Sequence, residues 1–143
     1  MPEPSNPYSA PTNAESQGFP ESKGMIWGGR VLSALPVLLL IFSGVMKLVQ
    51  PPGFAEQMDK MGIPSHLATG IGITELACVV LYVIPQTAVL GAILLTGYLG
   101  GAVLTHLRIG DHYFMPIVIG VVLWLGLYLR DRRIRALAPF RKL

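Results

Sequence analysis

The sequence predicts an all-α integral membrane protein, a four-helix bundle with short links and a disordered N-terminal tail. Three observations carry that prediction. Apolar residues fill 52% of the 143 positions and mean hydropathy is +0.55, too oily for the skin of a soluble fold. Charged residues make up 13%, about half the share of a soluble domain. The charges also collect at the ends of apolar runs, the arrangement that orients membrane helices. Six of the 11 basic residues lie from Arg130 onward, whereas positions 31–129 hold only Lys47, Glu56, Asp59, Lys60, Glu75, Arg108 and Asp111. The arginine cluster has no interleaved aromatic residues to stack on bases, so no nucleic-acid partner is expected. A single cysteine, Cys78, excludes an intrachain disulfide and a cysteine-cluster metal site.

Residues 1–24 hold five of the 12 prolines and little to bury. Such a stretch cannot offset its ordering entropy and reads as a flexible cytoplasmic tail. The four-span domain is expected over 25–137, with a basic cytoplasmic end at 138–143.

The first span is expected at 31–49, about 28 Å long and close to the thickness of the bilayer core. Pro36 inside it predicts a kink, and Pro51-Pro52-Gly53 stops it. In the link that follows, Phe54, Met58 and Met61 recur at helical spacing while Glu56, Gln57, Asp59 and Lys60 face away. That pattern predicts a short amphipathic helix at the membrane surface. The second span is expected at 66–84, ended by Pro85-Gln86. The third, at 87–107, carries Gly97 and Gly101 in a small-xxx-small pattern that predicts close helix packing. The fourth, at 113–129, is at the short limit for a span. Short links make neighbouring helices antiparallel. An even count puts both termini on one side, and the basic flanks make that side cytoplasmic.

Lys47, Glu75 and His106 are ionisable groups inside apolar runs, where a charge is costly unless paired, hydrated or neutralised. Lys47 and His106 fall near outer helix ends, while Glu75 lies about 14 Å down its span. Three readings stand. Glu75 pairs with Lys47 or the backbone and fixes packing. The three line an outward pocket that binds a polar head or moves a proton. Or Lys47 and His106 snorkel to the interface and Glu75 is protonated and hydrogen-bonded. Ser43 and Gly44 share the Lys47 face, and Gly72 and Cys78 share that of Glu75. Arg108 at the outer rim suits a lipid head group or an acidic ligand. His106 and His112 with Glu75 are able to ligate a metal, but their spacing is not diagnostic of a site and none is expected. No nucleophile elbow, phosphate loop or dinucleotide fingerprint is present, so any chemistry would rest on a cofactor or partner subunit.

The segments FSGVMKL (42–48), GITELACVVLYVIP (72–85), AVLGAILLTGYLGGAVLTHLRIGD (88–111) and WLGLYLRDRRIRAL (124–137) resemble the DoxX-like family of small four-helix bacterial membrane proteins. The resemblance implies an inner-membrane protein and places Gly44, Lys47, Glu75, Gly97, Gly101 and His106 on recurring family positions. Relatives often carry a basic residue where this chain has Gln86. The family name derives from a membrane subunit of a thiosulfate:quinone oxidoreductase. The resemblance therefore implies an accessory membrane subunit supporting redox chemistry near the quinone pool, with lipid and a membrane-protein partner or homo-oligomer around it. It leaves the cofactor open, with a quinone as candidate ligand and none expected to be tightly bound. The rival expectation is a non-catalytic scaffold or assembly subunit packed against a larger membrane complex.

Overall fold

A computed structural model describes residues 22–137, and among them every regular element is helical. Helix α1, Lys23–Val49, begins well ahead of the apolar run. Ser22 supplies the reason: its side chain accepts a hydrogen bond from the Met25 amide at 3.2 Å and caps the first turn. Lys23 and Gly24, expected in the tail, therefore belong to α1. The rest of that expected tail, 1–21, lies outside the described residues, as does the expected basic end, 138–143. Pro36 sits buried inside α1. The helix ends at Gln50, whose left-handed backbone (φ 46°) returns its N–H to the Met46 carbonyl at 3.0 Å.

Helix α2, Phe54–Lys60, is the expected amphipathic turn, set between Gly53 and Gly62 with φ of 87° and 68°. A 3-10 turn, Ser65–Leu67, leads into α3, Ala68–Val83, so the second apolar run is α-helical only from Ala68. Thr87 closes the next turn, its amide on the Ile84 carbonyl and its hydroxyl on the Leu81 carbonyl at 2.8 Å. Helix α4, Ala88–Ile109, ends on Gly110 in the left-handed region. Helix α5, Phe114–Arg130, is followed by a short helix, α6, Arg132–Leu137. The side chain of Asp131 accepts from the Arg133 amide at 2.8 Å to start α6. Among the described residues three helical segments are long and apolar enough to cross a membrane: α1, the 3-10 turn with α3, and α4.

Helix α1 packs on α3 and α5, and α4 packs on the same two. Glycine sets three of these contacts. Gly29 of α1 lies against the α5 backbone at Gly126 and Arg130, while Gly126 lies against Ser33. Gly44 of α1 meets Leu76 of α3, and Gly72 of α3 meets the Gly44 carbonyl and the Lys47 Cβ. Gly91 of α4 meets the backbone of Tyr82 in α3. Gly97 and Gly101 do not do what their spacing predicts. Among the described residues, a Cβ on either would find nothing within 4 Å. A small-residue pattern permits close approach, but here no partner backbone comes to meet it.

Large, fully buried side chains collect toward the basic end. Tyr82, Leu95, Leu123 and Leu127 are almost wholly buried there. The Tyr82 phenol has one hydrogen. A carbonyl can only accept, so the phenol donates to Leu123 O at 2.8 Å and accepts from the Ser33 hydroxyl at 3.0 Å. Arg130 donates to the Tyr82 carbonyl at 2.7 Å and lies 4.5 Å from the centre of its ring, a cation–π contact. Outside the core the helices present large apolar side chains, among them Leu38, Ile73, Val80, Leu104 and Val121, a surface suited to hydrocarbon.

Candidate functional site

The Gly44–Gly72 contact sets the site, because it fixes the register of α1 against α3. It brings the Lys47 Cβ beside Gly72. Glu75 follows three residues later, about 4.5 Å deeper along α3. The lysine stem spans that step, and Nζ reaches Glu75 Oε2 at 2.9 Å. Both ends of the pair are withdrawn from solvent, with side-chain exposures of 16% and 1%. Nζ also donates to the Ser43 hydroxyl and, at 3.4 Å, to the Ser43 carbonyl. The Ser43 hydroxyl in turn donates to Glu75 Oε2 at 3.4 Å. Withdrawing two charges from water is expensive, and close geometry with added hydrogen bonds is what offsets it.

The pair lies on the wall of a cavity of about 710 Å³, within the range of roughly 300–1,000 Å³ common to small-molecule sites. Its walls are mostly apolar and come from α1, α3, α4 and α5. Helix α2 contributes Phe54 and Met58, with Met61 just past its end, the apolar face predicted for it; Gln57, expected to face away, lines the cavity as well, because its place beside Met58 brings it to the rim. Met58 is buried, while Glu56 and Lys60 stay in solvent and pair at 3.0 Å. Gly97 and Gly101 also line the cavity, so their missing side chains leave room rather than admit a neighbouring helix.

Helix α4 supplies a polar stripe. Tyr98 lies against the Glu75 carboxylate, and Thr105 and His106 follow two turns on. The Thr105 hydroxyl donates to the Gly101 carbonyl at 2.9 Å. His106 Nδ1 lies 2.7 Å from the Ala102 carbonyl. A carbonyl only accepts, so Nδ1 carries the hydrogen and the neutral ring keeps a lone pair on Nε2.

Three of the four ligand candidates, Lys47, Glu75 and His106, thus line one cavity. Arg108 does not. It is exposed and points toward Gly62 beside α2, with Nη2 3.9 Å from where a Cβ would sit on that glycine. His112 is exposed too and bonds to Asp111, so His106, His112 and Glu75 do not gather. Among the described residues no cluster of metal-ligating side chains is found. Sequence reasoning missed Tyr98, although its place eight residues before His106 sets both on one helix face.

The apolar exterior, the membrane-length helices and a buried ion pair beside an apolar cavity define a helical membrane protein. A family model matches residues 31–126, and the chain belongs to the DoxX-like family. The matched stretch contains every cavity residue of α1, α3, α4 and α5 and stops short of Arg130. No curated protein and no solved structure matches the chain.

Proposed function

We propose that the chain is a four-span inner-membrane bundle whose cavity binds an amphipathic, quinone-like head group, and that it serves as an accessory subunit to redox chemistry near the quinone pool. One observation carries the reading: a large apolar cavity with the hydrogen-bonded Lys47–Glu75 ion pair on its wall. An apolar wall suits a ring and tail, and a few fixed polar groups suit an oxygenated head. Helix α5, with 17 residues, supplies the fourth span, packed along α1. The start of α1 and the end of α5 meet at Gly29 and Arg130, which supports an even number of crossings. Lys23, Arg30, Arg130, Arg132 and Arg133 gather at that end, which faces the cytoplasm on this reading.

Native mass spectrometry of the detergent-purified protein, with quinone binding measured alongside, tests the proposal. A quinone-sized amphiphile should be retained, and short-tailed quinone should bind. Gly101→Leu fills the cavity without meeting packed backbone. It should lower binding at least about tenfold. A wild-type protein that binds no such molecule, or a Gly101→Leu protein that binds it unchanged, overturns the proposal.

A scaffold role has one observation in its favour. An open apolar groove of about 670 Å³ runs between α4 and α5, with Gly100 and Gly120 in its floor. Co-purification of a defined membrane complex with an empty cavity would favour that role.

A further inference from the structure

Six residues that line the cavity are exposed: Leu39, Phe42, Gln57, Gly97, Gly101 and Met115. Their places show where the cavity opens. Only Gln57 belongs to α2. That short helix lies across the mouth toward water, with Met58 buried on one side and Glu56 and Lys60 in solvent on the other. The other five belong to α1, α4 and α5, and none carries a charge. Phe42, 66% exposed, continues the exposed stripe of Leu35 and Leu38 at helical spacing, the outer side of α1. On α4, Gly97 and Gly101 fall between exposed Leu94 and Leu104 on one stripe, and a Cβ on either would meet nothing within 4 Å. They are gaps in an apolar outer face. Met115, 59% exposed, stands near exposed Val118 on α5. Most of the exposed rim is thus apolar and continuous with the surface suited to hydrocarbon, while the Lys47–Glu75 pair lies withdrawn inside.

We infer that the cavity opens sideways into the bilayer and takes a membrane-dissolved amphiphile with a long apolar tail. The head enters between the spanning helices, and the tail stays in hydrocarbon. The inference rests on the ligand class proposed above and adds the route and the tail. A tail left among lipid chains exposes no apolar surface to water, so it needs no room in the protein. About 710 Å³ encloses a drug-sized molecule and not a head with a long polyprenyl tail. A closed cavity and a side-opening one therefore make opposite demands on tail length.

Two measurements on the wild-type protein in bilayer nanodiscs test this. The first compares quinones with one head and a short or a long polyprenyl tail, each affinity expressed per quinone dissolved in the bilayer. The long tail should lose less than about tenfold in affinity, and a larger loss overturns the inference and leaves an enclosed site. The second places a photoreactive diazirine midway along the long tail and maps the adducts that excess short-tailed quinone removes. These should fall on α1, α4 or α5. Competed adducts confined to α2, or none on the three spanning helices, overturn the sideways route. If neither quinone binds, the proposed function falls with the inference.

Discussion

Gly91 of α4 lies directly on the backbone of Tyr82 of α3, so close that a Cβ on Gly91 would overlap the Tyr82 amide nitrogen and Cα. The turn that Thr87 closes returns the chain so sharply that the first full turn of α4 touches α3 backbone to backbone. Backbone cannot yield as a flexible side chain can. Gly91→Ala is expected to cost about 1–3 kcal/mol or more, read as a lower melting temperature in detergent. Gly97→Ala, with open space around its Cβ, should leave stability within about 1 kcal/mol of wild type or raise it through helix propensity. Equal melting of Gly91→Ala and wild type would contradict the contact.

Lys47 and Glu75 offer a double-mutant cycle. Lys47→Met leaves a buried carboxylate without its partner, and Glu75→Leu leaves the ammonium without its own. Each single change is expected to cost about 3–5 kcal/mol, and the double variant should regain most of one such loss. Thermal unfolding of the four proteins gives the coupling energy. A coupling near zero would show that the two charges do not depend on each other.

Asp111 lies in the loop between α4 and α5, with its side chain partly exposed. The His112 amide donates to its Oδ1 at 2.7 Å, and the His112 ring lies 3.1 Å from the same oxygen. The amide bond first, and the ring second, hold the carboxyl below its ordinary range. The sign follows from linkage. A depressed folded value means the loop gains stability above the ordinary aspartate value of about 3.9 and loses it as pH falls through the lower, folded one. Carboxyl carbon NMR should place the Asp111 midpoint below that ordinary value. His112→Ala should raise it only part of the way, because the amide donor stays. A midpoint at or above the ordinary value would remove both hydrogen bonds from the account.

The helices were legible because apolar run length and the proline and glycine stops are local signals. The start of α1 was not, since Ser22 and Gly24 read as tail and Gly28 and Gly29 lie ahead of the apolar run. Gly97 and Gly101 misled because spacing records what a helix permits and not what approaches it. Gly29 and Ser33 carry the same spacing and do meet a neighbour. The ionisable residues stood out by being costly in hydrocarbon, yet their pairing depended on the Gly44–Gly72 register, a long-range fact. Depth counted from helix ends set Glu75 and Lys47 at different levels and left their pairing open, and the Gly44–Gly72 register with the inward lysine stem closes the difference. Tyr98 stayed hidden as one more aromatic in an apolar run, and Arg108 stood with the ligand candidates because its place at the rim is legible while its side-chain direction is not a sequence property.

The bundle is hollow inside near α2 and its core is closed toward the other end, where Tyr82 is wedged between Ser33, Leu123 and Arg130. The hollow is therefore a cul-de-sac with a floor. In an energised bilayer, with this hollow filled by water, most of the voltage would fall across that floor. A charge stepping into the vestibule and back out crosses little of the field, so guests would come and go without electrical work.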